Sequence, residues 1–207
     1  MKKITIIDYG CGNILSIKRG LEKIGFDSKI SDNEDIILDS SHLILPGVGA
    51  FGNAMSLLKR KNLQRIISKY TNEHQKPILG ICLGMQLLLS KSSEFGNYEG
   101  LNLIPGNVIN INEVSNEKLK VPNIGWNEIH IKNSNNFFEK FNNSSFYFVH
   151  SFISITDNKE DTSAYCKYYN LQIPAVIKKN KIIGCQFHPE KSGENGLRFL
   201  KKFCELT

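Results

Sequence analysis

The chain has 207 residues, of which 41% are hydrophobic and 22% charged, so it is long enough to bury one ample core, and one domain over residues 1–207 is expected. Its net charge of +6 comes mostly from scattered lysines, without a recognised nucleic-acid module, which disfavours nucleic acid as a partner. Five cysteines with neither a C-x-x-C spacing nor a secretion signal favour reduced thiols and a cytoplasmic location, and no apolar run has the length of a membrane span.

The first part of the chain alternates between strand and helix patterns. Apolar runs predict strands over residues 3–8, 27–31, 42–45 and 77–81. Apolar residues at helical spacing predict a first helix that begins at Ile14 and is closed by Gly25, and a long amphipathic helix over about 50–70. This alternation predicts an α/β fold with a mostly parallel central sheet flanked by helices.

The second half is richer in strand patterns. Strands are predicted over residues 108–111, 128–131, 146–154, 164–168, 175–177 and 182–187. Residues 133–145 are rich in asparagine and predict a surface loop, and residues 196–206 predict a closing amphipathic helix.

The most informative motif is Gly80-Ile81-Cys82-Leu83-Gly84, which follows a predicted strand and opens a further apolar stretch. A strand that turns sharply into a helix through G-x-nucleophile-x-G exposes the central side chain, and glycines are needed where the turn leaves no room for a Cβ. Free N–H groups and the dipole at a helix N-terminus favour the thiolate. Cys82 is therefore the candidate nucleophile; the alternative is a buried, inert thiol in an ordinary turn.

A second segment supplies the groups that a thiol nucleophile needs. The predicted strand that ends at Phe187 runs into His188-Pro189-Glu190, which places a histidine and a carboxylate two residues apart. A nucleophile requires a base, and the base requires an orienting group, and these members can lie far apart in sequence. Cys82, His188 and Glu190 are accordingly predicted to form a catalytic triad.

These motifs resemble those of the class I, triad-type glutamine amidotransferases. The resemblance rests on six segments that span nearly the whole chain: residues 8–13, 46–52, 80–86, 124–127, 147–151 and 186–192. Within this family the chain is similar to the glutaminase subunits of imidazole glycerol phosphate synthases. The resemblance implies a single class I glutamine amidotransferase domain that hydrolyses glutamine to glutamate and ammonia.

Acyl transfer to a cysteine requires hydrogen-bond donors for the tetrahedral oxyanion. One predicted donor is the N–H of Leu83, directly after the nucleophile. The second is expected from Gly47 or Val48, because the two glycines of Pro46-Gly47-Val48-Gly49 allow a backbone conformation that other residues resist. A plain strand-to-helix turn is the alternative interpretation of this loop.

The substrate glutamine carries an ammonium and a carboxylate that need polar partners. Gln86 lies one helical turn past Cys82, so its side-chain amide is expected to reach the site. The resemblance implies that Glu94 meets the substrate ammonium and that His150 and Ser151 line the pocket. Without the resemblance, the residues around Glu94 indicate only an acidic residue in a loop.

A partner chain is expected because ammonia released into water becomes largely ammonium, which is not nucleophilic. The chain carries no phosphate-binding or dinucleotide-binding loop and no metal-ligand cluster, so neither a metal nor a cofactor is expected. The resemblance implies a (β/α)8 barrel synthase subunit that uses the ammonia for histidine and purine-precursor biosynthesis. The surface that faces this subunit is implied to include Asn123, Trp126, Asn127, Tyr147 and Lys191.

Several alternatives remain open at the level of sequence. Asn123 stands where the subfamily usually has histidine, which leaves room for a paralogue that supplies ammonia for amidation of a surface-polysaccharide sugar. Trp126 is as readily a core aromatic as an interface anchor. A cysteine hydrolase or peptidase, or a scaffold without catalytic activity, would explain only some of the motifs: a hydrolase gives Gln86 no purpose, and a scaffold gives none to Cys82.

Overall fold

The strands and helices of the computed structural model are described for residues 2–132 and 137–207. The strands are β1 Ile4–Ile7, β2 Ser28–Ser31, β3 His42–Leu45, β4 Ile78–Ile81, β5 Lys91–Ser92, β6 Tyr98–Glu99, β7 Gly106–Asn110, β8 Asn123–Ile131, β9 Ser144–His150, β10 Phe152–Thr156, β11 Thr162–Tyr168, β12 Leu171–Lys179 and β13 Ile182–Cys185. The α-helices are α1 Ile14–Lys23, α2 Glu34–Asp39, α3 Phe51–Arg60, α4 Leu63–Ser68, α5 Leu83–Leu87 and α6 Gly193–Cys204.

The central sheet has nine strands in the described residues, in the order β2-β1-β3-β4-β13-β12-β11-β8-β9. The first five strands of this order pair in parallel, and the remaining strands pair antiparallel. The α/β fold is confirmed, and the strand-rich half of the chain extends the same sheet, because hairpin connections continue a sheet without a helical crossover. A second sheet contains four strands of the described part of the chain, in the order β10-β7-β5-β6.

Helices cover both faces of the parallel part of the sheet. Successive strand residues point to opposite faces. Ile6 belongs to a hydrophobic cluster that includes Phe199 of α6, whereas Ile7 belongs to a second cluster that includes Leu58 of α3. Both faces are therefore buried, which explains why the parallel strands are continuous apolar runs. No helix in the described ranges combines the length and the apolar character needed to cross a membrane.

Two predicted elements are divided in the structure. The long helix over residues 50–70 is two helices, α3 and α4, because Asn62 adopts a left-handed conformation (φ +56°) that asparagine tolerates better than most residues. The strand predicted over residues 146–154 is β9 and β10, which belong to different sheets and are separated at Ser151.

The surface loop predicted over residues 133–145 is confirmed in part: residues 137–143 contain only turns and one short 3-10 helix, but two of their side chains are buried and β9 begins at Ser144. Residues 133–136 lie outside the described residues. Phe138 and Phe141 are 1% and 3% exposed, and their rings lie 5.4 and 5.5 Å from that of Phe199. The burial of these two rings outweighs the polar composition of the neighbouring asparagines.

Candidate active site

Cys82 lies in a sharp turn between β4 and α5. Its backbone adopts φ +54° and ψ −109°, an unusual conformation for a residue other than glycine. A Cβ on Gly80 would lie 2.5 Å from the carbonyl oxygen of Gly84, and a Cβ on Gly84 would collide with the carbonyl oxygen of Leu45. The prediction that this turn is too tight for side chains at both glycines is therefore confirmed.

Strand order brings His188 to the same edge of the sheet as Cys82. β13 is the parallel neighbour of β4, with Cys185 opposite Ile81, so the residues that follow the two strands meet at their carboxyl ends. The N–H of Cys82 donates to the carbonyl of Cys185 over 2.8 Å. The backbone N–H of His188 donates to the carbonyl oxygen of Tyr147 over 2.9 Å, and this hydrogen bond fixes the backbone of His188.

The three residues of the predicted triad lie together. Nδ1 of His188 is 2.9 Å from Oε1 of Glu190, and the two side chains are 4% and 1% exposed. Burial alone would lower the pKa of His188, but hydrogen bonds and charge interactions with Cys82 and Glu190 raise it to about 10. The positive charge of a protonated His188 therefore faces Cys82.

Asn13 is a residue of this site for which the sequence indicates no role. Its Nδ2 donates to Oε1 of Glu190 over 3.4 Å, the same oxygen that faces His188. Oε2 of Glu190 is buried without a partner among the described residues. Asn13 belongs to a segment shared with the family, but nothing in its local pattern indicates contact with a residue near the other end of the chain.

The Cys82 sulfur has two further polar neighbours. Nε2 of Gln186 lies 3.7 Å from Sγ, and the carbonyl oxygen of Val149 lies 3.9 Å from it. Nε2 of Gln86 lies 3.1 Å from the carbonyl oxygen of Phe152 and 3.2 Å from Oε1 of Gln186. Gln86 and Cys82 line the same cavity, and the contact of Gln186 with the Cys82 sulfur is a finding of the structure.

The loop expected to supply an oxyanion donor packs directly on the turn at Cys82. A Cβ on Gly47 would lie 2.5 Å from the backbone nitrogen of Gly84, so glycine is required there for close approach rather than for an unusual φ angle. Gly49 is the residue with a left-handed φ, +97°. The Tyr9 hydroxyl donates to the carbonyl of Pro46 over 2.8 Å and holds the start of the loop.

A cavity of about 350 Å³ opens at Cys82. It is lined by Val48, Gly49, Cys82, Leu83, Gln86, Glu94, Phe95, Pro122, Val149, His150, Ser151, Phe152 and His188. All four predicted substrate-binding residues are present, while Gly47 and Glu190 lie outside the lining. Hollows of about 610 and 660 Å³ lie elsewhere, but the described residues that line them include no cysteine or histidine. In the described ranges, no group of three or more His, Cys, Asp or Glu side chains is placed to hold a metal ion.

Glu94 contributes a partly engaged carboxylate to this cavity. Oε2 accepts a hydrogen bond from the N–H of Phe51 over 2.7 Å. Burial raises the pKa of Glu94, and the Phe51 hydrogen bond opposes that shift. The contact anchors one carboxylate oxygen of Glu94 on the first turn of α3.

His150 is held neutral by its surroundings. Its Nδ1 is 2.9 Å from the carbonyl oxygen of Phe152, so Nδ1 carries the proton and Nε2 accepts from Nδ2 of Asn123 over 3.2 Å. Burial lowers the pKa of His150 to about 4. Oδ1 of Asn123 accepts in turn from Nδ2 of Asn127 over 3.3 Å. Asn123 is only 2% exposed, so it lies beneath the predicted partner surface.

Other residues of the predicted partner surface are open to solvent. Trp126 is 58% exposed, so the alternative of a core aromatic is wrong. Its ring lies 6.1 Å from that of Tyr147, which is opposite it on β9. Ile124, two residues earlier on the same face of β8, is 61% exposed, and Lys191 is also exposed.

Comparison with known proteins agrees with this geometry. The family model "Glutamine amidotransferase class-I" matches residues 5–206. "Imidazole glycerol phosphate synthase subunit HisH" of Geobacter sulfurreducens is 43% identical, with 100% of both chains covered, and the protein of the same name from Methanosarcina acetivorans is 45% identical, also over 100% of both chains. A solved structure titled "Crystal structure of glutamine amidotransferase" matches with a TM-score of 0.75 at 15% identity, covering 98% of this chain and 99% of that one, which shows the fold alone. The chain therefore belongs to the class I glutamine amidotransferases and is an enzyme of that family.

Proposed function

We propose that the chain is the glutaminase subunit of an imidazole glycerol phosphate synthase. The observation that carries the proposal is the meeting of Cys82, His188 and Glu190 at the carboxyl ends of two adjacent parallel strands, with the cysteine and histidine at one cavity. Relatives that carry this name and match over the full length of the chain support it. Residues 1–207 would act as one glutamine amidotransferase domain.

His188 and Cys82 carry the chemistry. The sulfur anion attacks the side-chain amide carbon of glutamine, and the imidazolium of His188 protonates the departing ammonia. A glutamyl thioester remains on Cys82, and His188 then takes a proton from the water that releases glutamate. Glu190 holds Nδ1–H of His188, so the other ring nitrogen faces the reaction.

The oxyanion forms on the substrate carbonyl and needs donors already in place. The N–H of Leu83 is the first of α5, and the first N–H groups of a helix lack partners within it. The second donor is proposed at Gly47 or Val48. Because Tyr9 holds the Pro46 carbonyl, the first peptide of the loop is anchored, and the Gly47–Val48 peptide is the one left to rotate.

The charged groups of glutamine are proposed to meet the outer part of the cavity. The free oxygen of Glu94 accepts from the substrate ammonium, and Ser151 lies on the cavity wall. Both nitrogens of His150 are engaged by the protein, so His150 shapes the pocket rather than donating to substrate. Nε2 of Gln86 is also engaged, which leaves its oxygen for the ligand.

The ammonia is proposed to pass to a (β/α)8 barrel synthase subunit for histidine and purine-precursor biosynthesis, in a heterodimer. The exposed Trp126 and the half-buried Tyr147, whose rings lie 6.1 Å apart, would contact that subunit together with Asn127 and Lys191. Asn123 would support the contact from below through Asn127. The five cysteines are free thiols, which supports a reducing, cytoplasmic setting.

The sugar-amidating paralogue was favoured only by Asn123. In the structure Asn123 donates to Nε2 of His150, so one hydrogen bond that a histidine would make is retained. Relatives of 40–45% identity named as synthase subunits favour the histidine-pathway role.

The test combines the purified chain with a barrel synthase subunit and the phosphoribulosyl acceptor. Cys82→Ala should abolish imidazole glycerol phosphate formation with glutamine as donor and leave formation with ammonium salts nearly intact, because the acceptor chemistry lies on the other chain. Cys11→Ala, which removes a half-buried thiol that does not line the cavity, is the matched control and should retain both activities. Equal loss with both nitrogen donors would contradict the proposal.

A further inference from the structure

We propose that Gln186 is a further catalytic residue, whose side-chain amide donates a hydrogen bond to the Cys82 sulfur and stabilises it as an anion. The inference rests on the proposed function, in which that sulfur is the nucleophile. Gln186 is 0% exposed, and its Nε2 lies 3.7 Å from Sγ of Cys82.

The orientation of the Gln186 amide follows from a backbone carbonyl. The carbonyl oxygen of Phe152 can only accept a hydrogen bond. The group of Gln86 that lies 3.1 Å from this oxygen must therefore be the NH₂. The same NH₂ lies 3.2 Å from the Gln186 side chain, which must therefore present its oxygen. The NH₂ of Gln186 is then left to face the sulfur.

The reversed orientation is excluded by the same contacts. Turning the Gln186 amide would place its NH₂ against the NH₂ of Gln86. Turning both amides would place the oxygen of Gln86 against the carbonyl oxygen of Phe152. Each arrangement would place two buried donors or two buried acceptors in contact and leave them without hydrogen bonds. Its free energy would therefore be higher than that of the observed arrangement, in which these groups are paired.

A donor at this position distinguishes the two states of Cys82. A thiolate accepts from Gln186 and gains a charge-assisted hydrogen bond. A thiol gains less, because an uncharged sulfur is a weak acceptor. Gln186 thus favours the thiolate of Cys82 through a neutral hydrogen-bond donor, and this effect does not depend on the charge of His188.

The titratable groups around the sulfur come from several elements. They are His188 and Glu190 after β13, Cys185 in β13, His150 in β9, Tyr9 after β1, and Glu94 across the cavity. The substitutions that test Gln186 leave all of these groups in place.

Two substitutions separate the donor from the rest of the side chain. Gln186→Met keeps the length and removes both polar groups. Gln186→Glu keeps an oxygen for the Gln86 NH₂ and puts a second oxygen against the sulfur. The exposed Gln172 allows a matched control, Gln172→Glu, with the same change of charge.

The measurement is the rate of alkylation by iodoacetamide between pH 5 and 9 on the full chain, followed by mass spectrometry of the peptide that contains Cys82. At pH 6.5 the rate should fall about tenfold in Gln186→Met and further in Gln186→Glu, with the rates converging at high pH. Gln172→Glu should match the unsubstituted chain. The half-buried Cys11 provides an internal reference in every sample.

Unchanged alkylation profiles in both Gln186 variants would overturn the inference. A variant that loses its fold reveals itself by labelling of the buried Cys166 and Cys204, and the other variant then decides. The proposed function fails separately, if Cys82→Ala retains glutamine-dependent turnover. If Cys82 is reactive and essential but the Gln186 variants are alkylated at the normal rate, this inference is refuted and the proposed function stands.

Discussion

Asn13 and Glu190 meet although 177 positions separate them in the chain. Nδ2 of Asn13 donates over 3.4 Å to the carboxylate oxygen that orients His188. The contact forms because β1 and β13 end at the same edge of one sheet, so the segment after β1 reaches the turn after β13. Asn13 therefore helps to hold Glu190, which in turn orients the His188 ring.

Replacing Asn13 should weaken catalysis more than folding. In Asn13→Ala, the kcat for glutamine hydrolysis by the complex is expected to fall about two- to tenfold, the equivalent of one modest hydrogen bond, because Glu190 loses a restraint. KM should change little, since Asn13 does not line the cavity. The control is Asn33→Ala: Asn33 caps α2 by accepting from the N–H of Ile36, so its loss should cost about 1 kcal/mol of stability and leave kcat unchanged. An unaltered kcat in Asn13→Ala would contradict the positioning role.

The stability of the chain should fall in mild acid because of two buried histidines. Burial lowers the pKa of both His42 and His150 to about 4, below the value of about 6.5 in an unfolded chain. Below pH 6.5 these two histidines therefore take up more protons in the unfolded chain than in the folded chain, and their contribution to the free energy of unfolding declines as the pH falls from 6.5 towards 4. For His150 the loss is at most about 3 kcal/mol.

Urea unfolding at pH 7 and pH 4.5 measures this difference. In His150→Gln the free energy of unfolding should differ less between the two pH values, because only the contribution of His42 remains. His130→Gln is the matched control, because His130 is exposed, and it should show the difference seen without substitution. Equal pH dependence in all three proteins would show that His150 does not bind protons more weakly when folded.

The isolated chain is expected to hydrolyse glutamine slowly, with the Gly47–Val48 peptide not yet presenting its N–H to the oxyanion. Binding of a synthase subunit loaded with its acceptor would favour the productive orientation. One missing oxyanion donor costs about 10²- to 10³-fold in rate, so activation of at least that order is expected. Steady-state hydrolysis by the chain, the complex and the liganded complex measures it, and rates within a few-fold of one another would refute it.

Gly49 offers a variant that tests the same loop. Its left-handed φ of +97° strains any other residue, although a Cβ there would meet no atom within 4 Å. Gly49→Ala is expected to lower kcat in the liganded complex about tenfold or more, because the strained loop misplaces the donor. Gly25→Ala changes a glycine with φ +83° in equally open space, away from the cavity, and should lose similar stability without loss of kcat.

Trp126 is expected to anchor the partner subunit. Trp126→Ala should weaken association with the barrel synthase by about 2 kcal/mol or more, the usual effect of removing a large aromatic at the centre of an interface. Titration calorimetry measures the change. Tyr169→Ala removes an aromatic of similar exposure, 56%, that belongs to none of the predicted partner residues, and should bind normally. Equal affinities of both variants would place the interface elsewhere.

Local patterns were sufficient to predict the α/β fold and the residues proposed to react. The sharp turn at Cys82 depends on neighbouring glycines, and His188 and Glu190 are two residues apart, so the physical requirements of both motifs are visible in a few consecutive residues. Hydrophobic periodicity located the parallel strands for the same reason, since a strand buried on both faces is a continuous apolar run.

The contacts that position these residues became visible only in the tertiary structure. Asn13 on Glu190, Gln186 on Cys82 and Tyr9 on Pro46 each join segments that come together through the order of strands in the sheet. That order depends on the burial of both faces of the sheet by the whole chain, and no local pattern records it. The same is true of Phe138 and Phe141, which lie in the predicted loop but are buried against α6, although their asparagine-rich surroundings predict exposure.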